Sequence, residues 1–197
     1  SFLHLHPNIA CITSMDADHL DIYGTSKAIE ASFIEFASKI TDKTKLFITR
    51  ELPIEGVVCA VDEDAVYKAF NVRVGDGSYI FDVQTPKEVI KDLHFGLPGR
   101  HNLMNALMAI AMANLFGTPT EAIAKALASF KGIKRRFSYQ IKTESKVYID
   151  DYAHHPTEIN AVNQAVRELY PGQKVLAIFQ PHLFSRTRDF ADDFAKS

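Results

Sequence analysis

The 197-residue chain sets 22 Lys and Arg against 24 Asp and Glu, a formal net charge of -2 without a long run of either sign, which excludes a broad electrostatic footprint for DNA or RNA. Hydrophobic residues at 47% against 23% charged exclude a disordered chain and supply material for a core. The longest apolar stretch, residues 103–116, is broken by Asn105 and Asn114 and falls short of the ~20 residues a membrane span needs, so it predicts a core helix and no membrane partner.

The N-terminus, Ser1-Phe2-Leu3-His4-Leu5-His6-Pro7, has neither a basic leader nor a cleavage site, and no initiator Met; the expectation is a chain that starts inside a longer protein. Residues 9–13 form a β-branched, apolar run that predicts a buried strand delivering residues 14–21 to its carboxyl edge. Ile29, Phe33, Phe36, Ala37 and Ile40 then recur at helical spacing, and residues 45–49 read as a second strand. Strand, helix, strand is the order of a parallel α/β sheet. Cys11 and Cys59 sit in such apolar runs without CxxC spacing, which predicts reduced, buried core residues and a cytoplasmic location.

Between residues 56 and 93 the period changes to two. Segments 72–74 and 79–83, parted by Gly75-Asp76-Gly77-Ser78, predict a β-hairpin and hence an antiparallel patch. Helices follow at about 102–116 and 120–130, divided by Gly117-Thr118-Pro119, with Gly ending the first and Thr118 or Thr120 capping the second. The basic, glycine-containing segment 131–136 reads as a linker, which divides the chain into units 1–132 and 133–197. Beyond it the pattern predicts strands near 137–142 and 146–150, a helix from Pro156, a strand at 174–179 and a terminal helix. A second α/β sheet begins there without reaching ordinary size, and its open edge would allow pairing with a second copy.

Four polar clusters fall at predicted strand ends or helix starts, and an arginine pair falls in the linker. Asp16-Ala17-Asp18-His19-Leu20-Asp21 gathers metal-competent groups where open α/β sheets bind ligands, or else caps the next helix as a polar loop. Gly99-Arg100-His101-Asn102-Leu103-Met104-Asn105-Ala106 sets two asparagines on one helical face; their amides can match the N6 and N7 edge of adenine beside the His101 ring, or serve as helix caps. Arg135 and Arg136 can clamp phosphate or lie solvated. Asp150-Asp151-Tyr152-Ala153-His154-His155-Pro156-Thr157-Glu158 joins a strand to a helix with Pro156 suited to the first helical position. Finally, Arg186 and Arg188 follow the predicted strand at 174–179 and can hold anionic groups or stay exposed at a helix start.

Taken in order, DADH at 16–19, GRHNxxNA at 99–106, KRRF at 134–137, DDYAHHPTE at 150–158 and FQPHxxSRTRD at 179–189 resemble the Mur ligases through most of the chain. That resemblance implies the later part of a central P-loop-type ATPase domain, a mixed sheet with an antiparallel patch, followed by the start of a Rossmann-like α/β domain. It implies ATP and Mg²⁺ as cofactors and an amide-forming reaction through an acyl phosphate. The DADH, DDYAHHPTE and RTRD blocks are most similar to the branch that joins L-alanine to UDP-N-acetylmuramate; the branch that recycles murein tripeptide shares part of the pattern.

By the same resemblance His19 is a catalytic residue and the Mg²⁺ ligand, while His101, Asn102 and Asn105 hold adenine. Arg136 and Asp151 serve both catalysis and nucleotide binding, and Tyr152, His154, Arg186 and Arg188 place substrate. No GxxxxGK[ST] occurs, since Gly24-Thr25-Ser26-Lys27 has its letters at the wrong spacing; the chain alone is therefore expected to be inactive. Two rivals remain open at this stage. One is a non-catalytic nucleotide-binding module, the other a metal-dependent hydrolase built on Asp16, Asp18, His19 and His154.

Overall fold

The computed structural model describes residues 2–16, 20–75 and 78–197. Strand β1 (Ala10–Ile12) leads through α1 (Leu20–Tyr23) and α2 (Ser26–Ser38) to β2 (Leu46–Thr49), which pairs with β1 in parallel. α2 starts at Thr25, whose Oγ accepts the Ala28 N–H at 3.2 Å and satisfies an amide that the helix itself cannot. The Gly-Thr-Ser-Lys letters thus build a helix cap. Phe33, Phe36, Ala37 and Ile40 press α2 onto Ala10, Ile12, Leu46 and Ile48.

β3 (Val57–Val61), β4 (Tyr67–Gly75), β5 (Ser78–Gln84) and β6 (Val89–Phe95) extend the sheet in simple chain order. Pairing is parallel as far as β4 and antiparallel through β5 and β6, so the expected antiparallel patch occupies one side of a mixed sheet. Two register shifts interrupt that patch, between Phe70 and Arg73 on β4 and between Phe81 and Val83 on β5.

α3 (Arg100–Leu115) and α4 (Thr120–Ser129) cover the sheet. Leu103, Leu107, Met108, Ile110 and Ala111 of α3 are buried with Phe47, Cys59, Tyr67, Tyr79 and Phe81; each large apolar side chain so enclosed contributes about 1.5–3 kcal/mol. Gly117, at φ 77°, ends α3 in a left-handed conformation that suits glycine. The expected threonine cap on α4 is absent. Pro119 holds the cap position, and the Thr120 hydroxyl donates to Glu88 Oε1 at 2.9 Å instead.

Past the turn at 130–137 come β7 (Ser138–Lys142), β8 (Val147–Asp150), α5 (Pro156–Leu169), α6 (Phe184–Asp189) and α7 (Ala191–Lys196), with β7 and β8 forming an antiparallel pair. The strand expected at 174–179 does not form: residues 173–183 have no regular structure. Leu176 and Ile178 are 85% and 90% exposed. A strand exists only through hydrogen bonds to a neighbour, and among the described residues β7 and β8 pair only with each other.

Cys11 also departs from expectation. It is exposed, whereas Cys59 is buried. β1 is an edge strand; Ala10 and Ile12 face the core beside α2, and Cys11 points the other way. Among the described residues no helix is long and apolar enough to cross a membrane.

Candidate functional site

The loop before α3 ends at Gly99, whose backbone stands at φ 98° and ψ 131°. A Cβ there would lie 2.6 Å from His101 Cε1, so only glycine lets the imidazole fold back over the loop. Gly99 O accepts the Asn102 and Leu103 amides at 2.9 and 3.0 Å, and Asn102 Nδ2 donates to Pro98 O at 2.7 Å. Asn102 is buried and Asn105 exposed. Neither asparagine is the N-cap, because Gly99 occupies that position without a side-chain cap.

The 130–137 turn and the loop after β8 are fastened together. Arg135 and Phe137 adopt φ 62° and 47°, values rare outside glycine, and they aim the backbone at that loop. Asp151 Oδ2 accepts the Phe137 N–H and its Oδ1 the Ala153 N–H, both at 2.7 Å; Tyr152 N–H donates to Arg135 O at 2.7 Å. The Arg135 guanidinium lies 4.9 Å over the Tyr152 ring, within range of cation–π attraction. His154 packs edgewise on Tyr152 at 5.0 Å, with Nδ1 2.8 Å from Tyr152 O and its own N–H donating to Glu158 Oε2 at 2.9 Å.

His101 faces this assembly. Desolvation holds its pKa below 6.5; Arg136 pushes it the same way, while Asp151 and Glu158 oppose. The charges of Asp151, Glu158 and Arg136, from beyond α3 in the chain, all act on the exposed His101 ring, and the two sides approach at a junction where Gly99 lies against Ala165. Arg186 and Arg188 part company: Arg186 is 6% exposed, and Arg188 pairs outside with Asp189 at 2.8 Å. Asp16 is exposed just past β1. Ala17, Asp18 and His19 lie outside the described residues, among which no three His, Cys, Asp or Glu converge as metal ligands.

Residues 1–113, more than half the chain, match the Mur ligase middle domain, and residues 135–197 match the Mur ligase glutamate ligase domain. The chain belongs to the Mur ligase family. It is 80% identical to a UDP-N-acetylmuramate–L-alanine ligase of Flavobacterium johnsoniae and 71% identical to that of Flavobacterium psychrophilum, in each case over all of this chain and 44% of the relative. The chain thus spans less than half the length of these curated relatives. Its fold matches the crystal structure of the UDP-N-acetylmuramate-alanine ligase from Thermotoga maritima, with a TM-score of 0.78 and 28% identity over 99% of this chain and 44% of that one. A folylpolyglutamate synthase of Mycobacterium tuberculosis complexed with ADP shares the fold alone, at a TM-score of 0.67 and 20% identity over 84% of this chain and 40% of that one.

The structure of this Mur ligase chain adds residues to which the sequence reading gave no role. His155 caps α5, its Nδ1 accepting the Thr157 N–H at 3.4 Å; a neutral ring so used carries its proton on Nε2, which is buried without a partner beside the Phe190 ring at 4.8 Å. At the carboxyl ends of β2 and β3, Arg50 pairs with Glu63 at 3.3 Å and Arg100 with Asp62, rimming a hollow floored by Cys59 and Met104. Tyr79, which is fully buried, and Glu168 join across 89 positions. Sequence periodicity carries no signal for contacts so distant.

Proposed function

We propose that this Mur ligase chain is the nucleotide-gripping part of an ATP-dependent ligase that joins L-alanine to UDP-N-acetylmuramate, with the unit boundary at 132/133. The observation that carries the reading is 80% identity to a ligase of that name along the whole of this chain; it is supported by the Asp151 carboxylate that ties the loop after β8 to the linker carrying Arg136.

The chemistry explains why such a junction is needed. A carboxylate oxygen does not leave, so the lactyl carboxylate attacks the γ-phosphorus of ATP, forming a new P–O bond as the bond to ADP breaks. The amine of L-alanine then adds to the acyl carbon, loses a proton, and expels inorganic phosphate as the C–O bond breaks. Little covalent work falls to the protein. Positioning and charge stabilisation carry such transfers.

In this reading the depressed pKa of His101 keeps its ring neutral, so it lies against adenine without adding charge. Asn105 presents an exposed amide to the base edge, and Asn102 fixes the loop through Pro98 while keeping amide capacity for the base. Arg136 meets phosphate oxygens, and Asp151, held by two backbone amides, faces the nucleotide from the other unit. Tyr152, His154, Arg186 and Arg188 place the acceptor substrate and amino acid, with buried Arg186 anchoring helix α6, which also carries Arg188.

Mg²⁺ needs only one or two protein ligands beside phosphate and water. Asp16 is exposed just past β1 as one carboxylate donor, and His19 is the ligand that the resemblance to the family implies. When bound, the ion neutralises charge gathering on the phosphoryl oxygens. ATP and a nucleotide sugar as substrates, together with free cysteines, support a cytoplasmic setting.

The test is alanine-dependent ADP release from the complete ligase given UDP-N-acetylmuramate. Arg136→Ala is expected to lower kcat/KM for ATP on the order of 100-fold with an unchanged melting temperature. Preference for a peptide or another amino acid over L-alanine would refute the assignment, and an unaffected Arg136→Ala variant would remove that residue from the site.

A further inference from the structure

Tyr79 belongs to β5, outside every polar block in the sequence, yet its hydroxyl is held by hydrogen bonds on both sides near the junction. The side chain is fully buried. Its hydroxyl accepts the buried Gly99 N–H at 3.1 Å and donates to Glu168 Oε2 at 2.6 Å, a short bond of the charge-assisted kind. Gly99 is the residue from which α3 springs, and it shapes the loop on which His101 rests.

Glu168 approaches from α5, one helical turn after Ala165. Ala165 is 1% exposed, and a Cβ built on Gly99 would meet the Ala165 Cβ at 3.4 Å. One face of α5 therefore lies close to Gly99 through Ala165 and holds the Tyr79 hydroxyl through Glu168. Burial and the neighbouring carboxylate push the phenol pKa up, so the hydroxyl keeps its proton and stays a donor.

We infer that Tyr79 and Glu168 are positioning residues that lock α5 onto the Gly99 loop and so fix the distance between the His101 side and the Asp151 side of the nucleotide site. The inference rests on the ligase reading above and deepens it. Neither side chain need touch ATP; they act through Gly99 and His101. Glu168 is itself exposed but the hydroxyl it accepts from is buried, and losing a hydrogen bond to a charged group shifts an equilibrium roughly tenfold or more.

The test uses Tyr79→Phe, Glu168→Ala, Glu168→Gln and the double variant Tyr79→Phe/Glu168→Ala in the complete ligase. Tyr79→Phe and Glu168→Ala are each expected to raise KM for ATP about tenfold with kcat falling less than about threefold. A merely structural role would cut the active fraction, lowering kcat and leaving KM alone. Glu168→Gln, whose amide oxygen still accepts, is expected within about threefold of wild type, and the double variant is expected to match the single ones.

KM changes under about twofold in both single variants, or effects that multiply in the double one, would overturn the inference. The Glu168 pair alone decides the matter if Tyr79→Phe does not fold. The Gly99 amide gives an independent reading through hydrogen exchange, expected about tenfold faster in Tyr79→Phe; an unchanged rate there also overturns the lock. If the wild-type protein shows no alanine-dependent ATP turnover, the ligase reading fails, while the exchange rate still reports on the lock.

Discussion

A methyl group at position 99 has no room. Gly99→Ala would press a Cβ against the His101 ring at 2.6 Å and hold an L-residue at φ 98°, and strain of this kind costs about 1–3 kcal/mol. Urea denaturation is expected to show that loss, and calorimetric ATP titration of the complete ligase to show weaker binding. His101 supplies a pH prediction. Its folded pKa lies below 6.5, so the unfolded chain binds the proton first, and the penalty on folding grows as pH falls from 6.5 through the folded value. His101→Asn is expected to flatten the pH dependence of the melting temperature in that window and to leave it unchanged above pH 7. The glycine that caps α3 and the histidine and asparagines of its start stand within seven residues, which made the block stand out in sequence. What was hidden was the division of labour, since Asn102 turns inward to Pro98 and only Asn105 is exposed, a choice set by the tertiary wall behind α3.

Among the elements, the antiparallel patch depends on one carboxylate. Asp82, 7% exposed, accepts the Asp92 N–H at 2.9 Å and Asn71 Nδ2 at 3.0 Å, both from residues at φ 53° beside the two register shifts. Asp82→Ala strands those donors and is expected to lower stability by about 1–3 kcal/mol at pH 7 in urea denaturation. These bonds hold the Asp82 pKa below 3.8. The stabilisation is therefore complete above that value and vanishes as pH falls through the lower folded one; acid titration of wild type against Asp82→Asn measures it. Helix α2 and the β4–β5 hairpin were readable because their signals are local, apolar spacing for one and Gly-rich punctuation for the other. The bulges were not, because an extra residue in a strand looks in sequence like any other. The segment 174–179 failed for the opposite reason: its apolar residues announce a strand, but pairing is decided by a partner elsewhere.

For the whole molecule, no GxxxxGK[ST] loop occurs in these 197 residues, and the purified chain is expected to release no ADP above background in a coupled assay. Leu176 and Ile178, at 85% and 90% exposure, are expected to drive self-association. The double variant Leu176→Lys/Ile178→Lys should sediment as a smaller species at high concentration while its unfolding midpoint stays within about 0.5 kcal/mol of wild type. The order of units could be read from sequence because each polar block sits at the end of a strand or the start of a helix, whereas the lock between Tyr79 and Glu168 spans 89 positions and only folding reveals it. The linker has one more consequence. Arg135 and Phe137 occupy left-handed backbone that glycine would adopt more cheaply, yet Arg135 also stacks on Tyr152 and Phe137 also feeds the Asp151 carboxylate. The elbow is held by the Arg135 side chain on the Tyr152 ring and by the Phe137 N–H on Asp151, and since the proposed function gives Tyr152 and Asp151 a part in binding, a change that loosens the elbow is expected to weaken ligand binding as well.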